Sequence, residues 1–98
     1  MGSSKGYILS EPAENDLDDI FFYSLQYGER QAVSYQEKLI ATFDRLGKYP
    51  DSGIVRDDIR EGLRQTISEK HAVFYRIKDG LVFILRVLHH SRDVEKYF

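Results

Sequence analysis

The histidines are the side chains of this sequence best suited to chemistry. His89 and His90 open the segment 89–93 (HHSRD), and His71 begins the preceding apolar run. A histidine close to a carboxylate and a hydroxyl suits general acid–base or nucleophilic catalysis. Adjacent strand residues point to opposite faces, however, so His89 and His90 are not expected to converge if the strand continues. We therefore favour a non-catalytic interpretation of these histidines.

The sequence shows no pattern of residues that would bind a metal or a cofactor. The chain has no Cys, which excludes a thiolate metal site, a disulfide framework and a cysteine nucleophile. It also lacks a pair of His at the helical spacing that a zinc site typically uses. The aromatic residues recur at helical spacing, which indicates core packing. We expect no cofactor and no metal.

Arginines form the second group of candidate residues. Residues 56–64 (RDDIREGLR) mix Arg with Asp and Glu, which favours an ion-paired, solvated loop over a phosphate site. Arg76 and Arg86 instead lie inside apolar runs, where a guanidinium is costly to bury unless it is paired. Two interpretations stay open for this pair. One is a structural ion pair with an acid such as Glu61 or Asp93, and the other is a docking surface for another protein's acidic residue.

The composition bounds the class of protein. The chain has 98 residues, of which 42% are hydrophobic, and a formal net charge of −2. We expect a disordered tail over residues 1–5 and one folded domain over residues 6–98. A protein that grips phosphates usually has a basic excess, so direct nucleic-acid binding is not expected. We recognise no signal peptide or transmembrane run and expect a cytoplasmic protein without membrane contact.

A β-hairpin must position most of these side chains. Asp79 and Gly80 separate two apolar runs, 71–77 and 81–88, and both residues tolerate the positive φ of a type I′ turn. Both faces of the hairpin are largely apolar, so it should lie centrally in a sheet that is covered on both sides. We expect other segments of this chain to cover one face of the sheet and a partner protein to cover the other.

The turn also sets the pairing register of the hairpin. The register places His71 across from Leu88, and it puts Arg76 and Arg86 on opposite faces. The expected pairs are Ile77 with Val82, Tyr75 with Ile84, Val73 with Arg86, Arg76 with Phe83, Phe74 with Leu85, and Ala72 with Val87.

Two helices are expected to cover one face of the sheet. The first begins at an N-cap, Ser10, with Pro12 in its first turn, and Gly28 is suited to its end. The second begins near Glu29 and ends before Pro50. Both have apolar stripes at helical spacing, and so short a connection makes them antiparallel neighbours. The first half of the first helix is acidic, and negative charges there interact favourably with the positive end of the helix dipole. These acids are Glu14, Asp16, Asp18 and Asp19.

The remaining strands complete an α+β fold. Residues 6–9 are a short strand candidate, residues 48–61 a polar loop, and residues 63–68 a strand that pairs with 71–77. The order β-α-α-β-β-β predicts an antiparallel helical hairpin packed on one face of a small, mainly antiparallel sheet. The position of the first strand in that sheet stays open.

An ordered set of short motifs resembles a known family over about residues 7–93. The set resembles ParE-type toxins of the RelE/ParE superfamily, which belong to type II toxin–antitoxin systems. Its motifs are Ala13-x₃-Leu17-x₂-Ile20-x₂-Tyr23, Gly28-x₃-Ala32-x₂-Tyr35, Pro50-x₂-Gly53, Arg60-x-Gly62-x-Arg64, His71-x₂-Phe74-Tyr75-Arg76 and Arg86-Val87-Leu88-His89-x₂-Arg92-Asp93.

The resemblance implies a toxin that inhibits DNA gyrase and so replication. It also implies a ParD-like antitoxin that holds the toxin inactive in a hetero-oligomer, and a role in plasmid stabilisation. RelE-type relatives instead cut messenger RNA in the ribosome, using cations on the central strands and near the C-terminus. Here Ala72 stands where such an enzyme would need an Arg. The partial nuclease set that survives is Arg64, His90, Arg92 and Tyr97.

The missing cation favours the non-nuclease branch. Loss of one electrostatic donor costs roughly 10²–10³ in rate, and the acidic net charge agrees with this choice. We therefore expect a toxin that acts by binding gyrase and has no catalytic residues of its own. The alternatives are a ribosome-dependent mRNA endoribonuclease, and a non-toxic member that only binds antitoxin.

The resemblance also implies two binding surfaces, one for the antitoxin and one for the target. We expect the antitoxin to lay an amphipathic helix or an extended segment on exposed apolar surface. The expected target-contacting residues are Arg86, His89, His90 and Arg92. The expected antitoxin-binding residues are Phe22, Tyr23, Tyr27, Tyr35 and Arg76.

Overall fold

The computed structural model describes residues 6–90 and 93–98, and it has the α+β architecture expected from the sequence. Two helices pack against a five-stranded sheet of strand order β1-β5-β4-β3-β2. The predicted tail 1–5 and the candidate residue Arg92 lie outside the described residues. The elements are β1 (Tyr7–Leu9), α1 (Glu11–Ser24), α2 (Glu29–Lys48), β2 (Ile54–Val55), β3 (Arg64–Ser68), β4 (His71–Lys78) and β5 (Leu81–His89).

Helix α1 begins where the sequence predicts. The Ser10 side chain accepts a hydrogen bond from the Ala13 N–H at 3.1 Å, which satisfies a donor that the first helical turn leaves unpaired. The same hydroxyl donates to the Leu85 carbonyl oxygen at 2.9 Å, so the cap also joins α1 to β5. The helix ends earlier than predicted, because a 3₁₀ turn over Leu25–Tyr27 precedes Gly28.

The Asp79-Gly80 turn is confirmed, whereas the predicted register is wrong for the four pairs from Phe74 back to His71. Asp79 and Gly80 have φ of 54° and 76°, and the pairs nearest to the turn follow the prediction. A β-bulge then adds one residue to β5, so that Arg86 lies opposite Phe74 and His89 lies opposite His71. A bulge bends the strand and re-aims its side chains.

The sheet gains two edge strands that the hairpin pattern did not define. Strand β1 pairs in parallel with β5, which answers the question of where it docks. Strand β2 lies in the predicted loop 48–61 and pairs with the start of β3. Only Ile54 and Val55 form it, and both are exposed. Two exposed residues produce no alternation from which a strand can be predicted.

A large apolar core lies between the helices and the sheet. Apolar side chains of α1 and α2 pack there against residues of β4 and β5. The Val87 side chain belongs to this core, whereas the predicted register would have placed the Arg86 guanidinium on that face. The buried residues of the core are Ala13, Leu39, Phe43, Leu46, Val73, Tyr75, Val82, Ile84 and Val87.

A second apolar core lies on the opposite face of the sheet, which we call the outer face. The C-terminal segment, residues 94–98, packs there with Ile59 against Leu63, Ala72, Phe74 and Leu88. The Phe98 ring lies 5.3 Å from the Phe74 ring. The expectation that a partner must cover this face is therefore wrong for the part around Phe74, because the chain covers it with its own C-terminus.

Candidate functional site

A polar cleft of about 200 Å³ separates α1 from the end of β5. Its walls carry carboxylates, histidines and a guanidinium from elements that are distant in sequence. The polar and charged side chains that line it are those of Asp16, Asp19, His71, Arg86, His89 and Tyr97. The cleft brings together two of the predicted target-contacting residues, Arg86 and His89.

An ion pair between Asp16 and Arg86 forms one wall of the cleft. Arg86 Nε and one terminal nitrogen donate to the two Asp16 carboxylate oxygens at 2.8 and 2.7 Å. The Val87 N–H donates to the same carboxylate at 2.9 Å. The hydrogen bond that the Arg86 guanidinium donates to Asp16 raises the pKa of Arg86, so Arg86 keeps its charge. Bidentate pairs of this kind are the strong ones.

The acid that pairs with Arg86 is thus Asp16, which the sequence interpretation assigned to another role. Glu61 and Asp93 were the expected acids, and Asp16 was expected only to favour the helix dipole. Asp16 lies three residues after Ala13 and four before Ile20 on the apolar stripe of α1. A carboxylate on such a stripe must find a partner, and this spacing is the signal that could have identified it.

The second wall of the cleft holds the histidines. The Lys70 N–H donates to the Tyr35 hydroxyl at 3.0 Å, and that hydroxyl lies 2.7 Å from His71 Nδ1. The hydroxyl donates to Nδ1 in the tautomer that carries the ring proton on Nε2. Burial, followed by the charges of His89 and His90, lowers the pKa of His71 to about 4. His71 is therefore neutral at physiological pH.

The three histidine rings converge, contrary to the expectation for adjacent strand residues. The His71 and His89 rings lie 5.4 Å apart, and the His89 and His90 rings stack at 4.4 Å. They converge because β5 ends at His89, so His90 follows in a turn and does not obey strand alternation. Across residues 6–90 and 93–98, no three His, Cys, Asp or Glu side chains are arranged to hold a metal ion.

Two described members of the partial nuclease set, Arg64 and Tyr97, lie on opposite faces of the sheet. Arg64 pairs across β3 and β4 with Tyr75, a residue of the helix-facing core. Its guanidinium donates to the Gly53 carbonyl at 2.9 Å and lies 3.5 Å from the Asp51 carboxylate. Tyr97 packs on the outer face. The structure therefore does not bring Arg64 and Tyr97 together.

A buried tyrosine next to Arg64 was missed by the sequence interpretation. The Tyr75 hydroxyl donates to the Pro50 carbonyl at 2.6 Å and accepts from the Gly53 N–H at 3.0 Å. A Cβ at Gly53 would lie 2.5 Å from that hydroxyl, which explains why a glycine stands there. These contacts, together with the hydrogen bond from Arg64 to the Gly53 carbonyl, attach the loop after α2 to the sheet.

The predicted antitoxin-binding residues fall into three groups. Phe22, Tyr23 and Tyr27 have exposed fractions of 69%, 65% and 63%, and they come from the last turn of α1 and the 3₁₀ turn that follows it. We call these three residues the α1 aromatic patch. Tyr35 instead faces the histidines, and Arg76 is exposed on the outer face beside Phe83. Their roles as binding residues stay predictions.

The fold and the cleft define a structural class. The class is a small α+β protein with a helical hairpin on one sheet face and its own C-terminus on the other. No helix in the described part of the chain is long and apolar enough to cross a membrane. A chain of the structure "Chromosomal ParDE TA system from P. aeruginosa" shares this fold, with a TM-score of 0.76 and 21% identity. The match covers 86% of this chain and 94% of that one.

Sequence comparison identifies the family within that class. The family described as "ParE toxin of type II toxin-antitoxin system, parDE" matches residues 7–94. Toxin ParE1 of Caulobacter vibrioides is 41% identical over 95 residues, and Toxin ParE1 of Mycobacterium tuberculosis (strain H37Rv) is 34% identical over 95 residues. Each match covers 95% of this chain and 97% of the relative. The chain belongs to the ParE toxin family of type II toxin–antitoxin systems, as the motifs predicted.

Proposed function

We propose that this ParE-family chain inhibits DNA gyrase by binding it, and that a ParD-like antitoxin neutralises it in a hetero-oligomer. The proposal places both partners in the cytoplasm. Family membership supports the toxin role, and the names of the relatives pair this family with ParD proteins. The activity is a binding activity and does not depend on a reaction carried out by this chain.

The separation of Arg64 from Tyr97 is the observation that favours gyrase over messenger RNA as the target. A ribonuclease must hold its cations and its proton-transfer groups around one phosphate, because electrostatic stabilisation and general acid–base catalysis both act there. Arg64 is tied to Gly53 and Asp51 on the helix-facing side, while Tyr97 packs on the outer face. A formal net charge of −2 also disfavours RNA binding. These features support a toxin that binds protein.

Two assays with the purified full chain test the proposed target. We expect trapped cleavage complexes when the chain is added to gyrase and supercoiled DNA, and no cleavage of messenger RNA on ribosomes. Arg64→Ala should leave gyrase trapping unchanged within about twofold, because a change in a residue away from the interface has little effect on binding.

The outcomes separate the three candidate functions. Messenger RNA cleavage that Arg64→Ala abolishes would establish the endoribonuclease and refute the proposal. Absence of both activities, with retained binding to the antitoxin encoded beside this gene, would identify a non-toxic family member.

A further inference from the structure

A chain of contacts runs from α1 through Arg86 to the C-terminal segment. Asp16 holds the Arg86 guanidinium by two hydrogen bonds, of 2.8 and 2.7 Å. The guanidinium carbon lies 4.8 Å from the centroid of the Tyr97 ring. A guanidinium within about 6 Å of an aromatic face is attracted by the ring quadrupole. Helix α1 is thereby connected to the segment 94–98 through a single side chain of β5.

Two features of the structure determine where Arg86 lies, namely the bulge in β5 and the Asp16 carboxylate. The bulge in β5 removes the Arg86 side chain from the helix-facing core, where Val87 takes its place. The Asp16 carboxylate accepts from both the guanidinium and the Val87 N–H, and its side chain is only 11% exposed. A largely buried carboxylate that accepts three hydrogen bonds holds the guanidinium in one orientation.

The C-terminal segment has little structure of its own to hold it in place. Its 3₁₀ helix spans only Val94–Tyr97 and has no side-chain cap. So short a helix is not stable alone in water. Its place on the outer face therefore depends on tertiary contacts, which include the Phe98 ring against Phe74 and the Tyr97 ring against Arg86.

We propose that Asp16 is a positioning residue for the C-terminal segment, and that it acts by orienting Arg86 under the Tyr97 ring. The ordered segment then presents one surface that includes the end of the chain. A consequence, which rests on the proposed function, is that gyrase contact requires this ordered surface. An acid of α1, distant from the predicted target-contacting residues in sequence, would thereby set toxin activity.

Carboxypeptidase A digestion of the full-length chain measures the order of the segment directly. The enzyme removes the C-terminal Phe98 when the segment leaves the sheet, so the release rate reports the undocked population. Asp16→Asn keeps the side-chain shape but replaces one acceptor with an N–H donor that faces Arg86. Release of Phe98 should become roughly 3- to 30-fold faster, the range that corresponds to one cation–π contact.

Two control variants isolate this effect. Asp19→Asn removes the same charge from the same helix and the same cleft, and it should release Phe98 at the wild-type rate. Leu39→Ala weakens the helix-facing core without contacting the segment, so it separates general loss of stability from undocking. Its release rate should also stay within about twofold of wild type at temperatures well below its Tm.

Arg86→Lys is the second test variant, and it covers the case in which Asp16→Asn fails to fold. Lysine keeps the charge but loses the planar fork that pairs with a carboxylate and stacks on a ring. Faster release of Phe98 is expected here too. Wild-type release in folded Asp16→Asn, or in Arg86→Lys if Asp16→Asn does not fold, would overturn the proposal.

The gyrase assay then distinguishes this inference from the proposed function. Faster Phe98 release together with reduced gyrase trapping by Asp16→Asn supports both. If the wild-type chain traps no gyrase, the proposed target is wrong, and the release rates still decide the role of Asp16. Faster release with undiminished trapping would confirm the positioning role and refute its consequence for gyrase.

Discussion

Single residues in this protein owe their state to neighbours that are distant in sequence. His71 shows this most clearly, because it faces Tyr35 from α2, Asp16 from α1, and His89 and His90 from the end of β5. Burial is the largest cause of its lowered pKa, and the charges of His89 and His90 lower it further. Proton binding to His71 is therefore weaker in the folded chain than in the unfolded one.

We predict a loss of stability in acid that His71 causes. Its pKa is about 4 in the folded chain and 6.5 in the reference state, so the unfolded chain binds the proton first. Stability from this group is full above pH 6.5 and is lost as the pH falls from 6.5 towards 4. After allowance for partial exposure, the free energy of unfolding should fall by about 1 kcal/mol more between pH 7 and pH 5 than in His71→Asn.

Urea unfolding at both pH values measures this difference. Asparagine retains an acceptor for the Tyr35 hydroxyl but does not titrate, so the variant isolates the proton. An identical pH dependence in the two proteins would show that His71 is not the titrating group.

At the scale of elements, α1 combines a structural face and an exposed face. Ala13, Leu17 and Ile20 pack into the helix-facing core, and Asp16 reaches the edge of β5 between them. The α1 aromatic patch lies on the exposed side at the end of the helix, where the Tyr23 and Tyr27 rings lie 6.0 Å apart. Aromatic clusters that are not needed for packing are typical of protein interfaces.

We predict that this patch contributes to antitoxin binding, as part of the proposed function. Tyr27→Ser should weaken binding of the antitoxin encoded next to this gene by about 30-fold, the effect of losing an interface hot spot of about 2 kcal/mol. Isothermal titration calorimetry measures the change. Tyr49→Ser is the matched control, because Tyr49 is 65% exposed and lies after α2, away from the patch. Equal weakening by the two substitutions would contradict a role for the patch.

At the scale of the whole molecule, the sheet separates two apolar cores of different origin. The helix-facing core forms between long elements with clear apolar stripes. The outer core is completed by the end of the chain, which packs over Phe74, a residue without measurable exposure. The chain therefore uses its last residues to cover surface that a central hairpin would otherwise expose.

Two phenylalanines provide a test of this arrangement. Phe98→Ala removes a ring that packs 5.3 Å from Phe74, and it should cost about 1–2 kcal/mol of stability, since the ring is only partly buried. Phe22→Ala removes a ring that is 69% exposed, and it should change stability by no more than about 0.5 kcal/mol. Thermal unfolding of the isolated chain measures both. Equal effects would show that the C-terminus does not complete a core.

The sequence by itself determined the elements whose signals are local. The Ser10 cap, the Asp79-Gly80 turn, the helical hairpin and the α+β class all follow from patterns within a few residues, and the ordered motifs identified the family. Backbone preference and short-range hydrogen bonds dictate such features wherever the segment lies.

Only the tertiary structure decided which distant groups meet. Asp16 and Arg86 lie 70 positions apart, so helical periodicity could mark the acid but could not name its partner. The bulge in β5 depends on core packing, which favours Val87 over Arg86 on the helix-facing side. Whether Arg64 and Tyr97 can meet in one site likewise depends on which face of the sheet each occupies. Long-range contacts of this kind leave no local pattern in the sequence, because the energy that selects them comes from burial and pairing in the assembled fold.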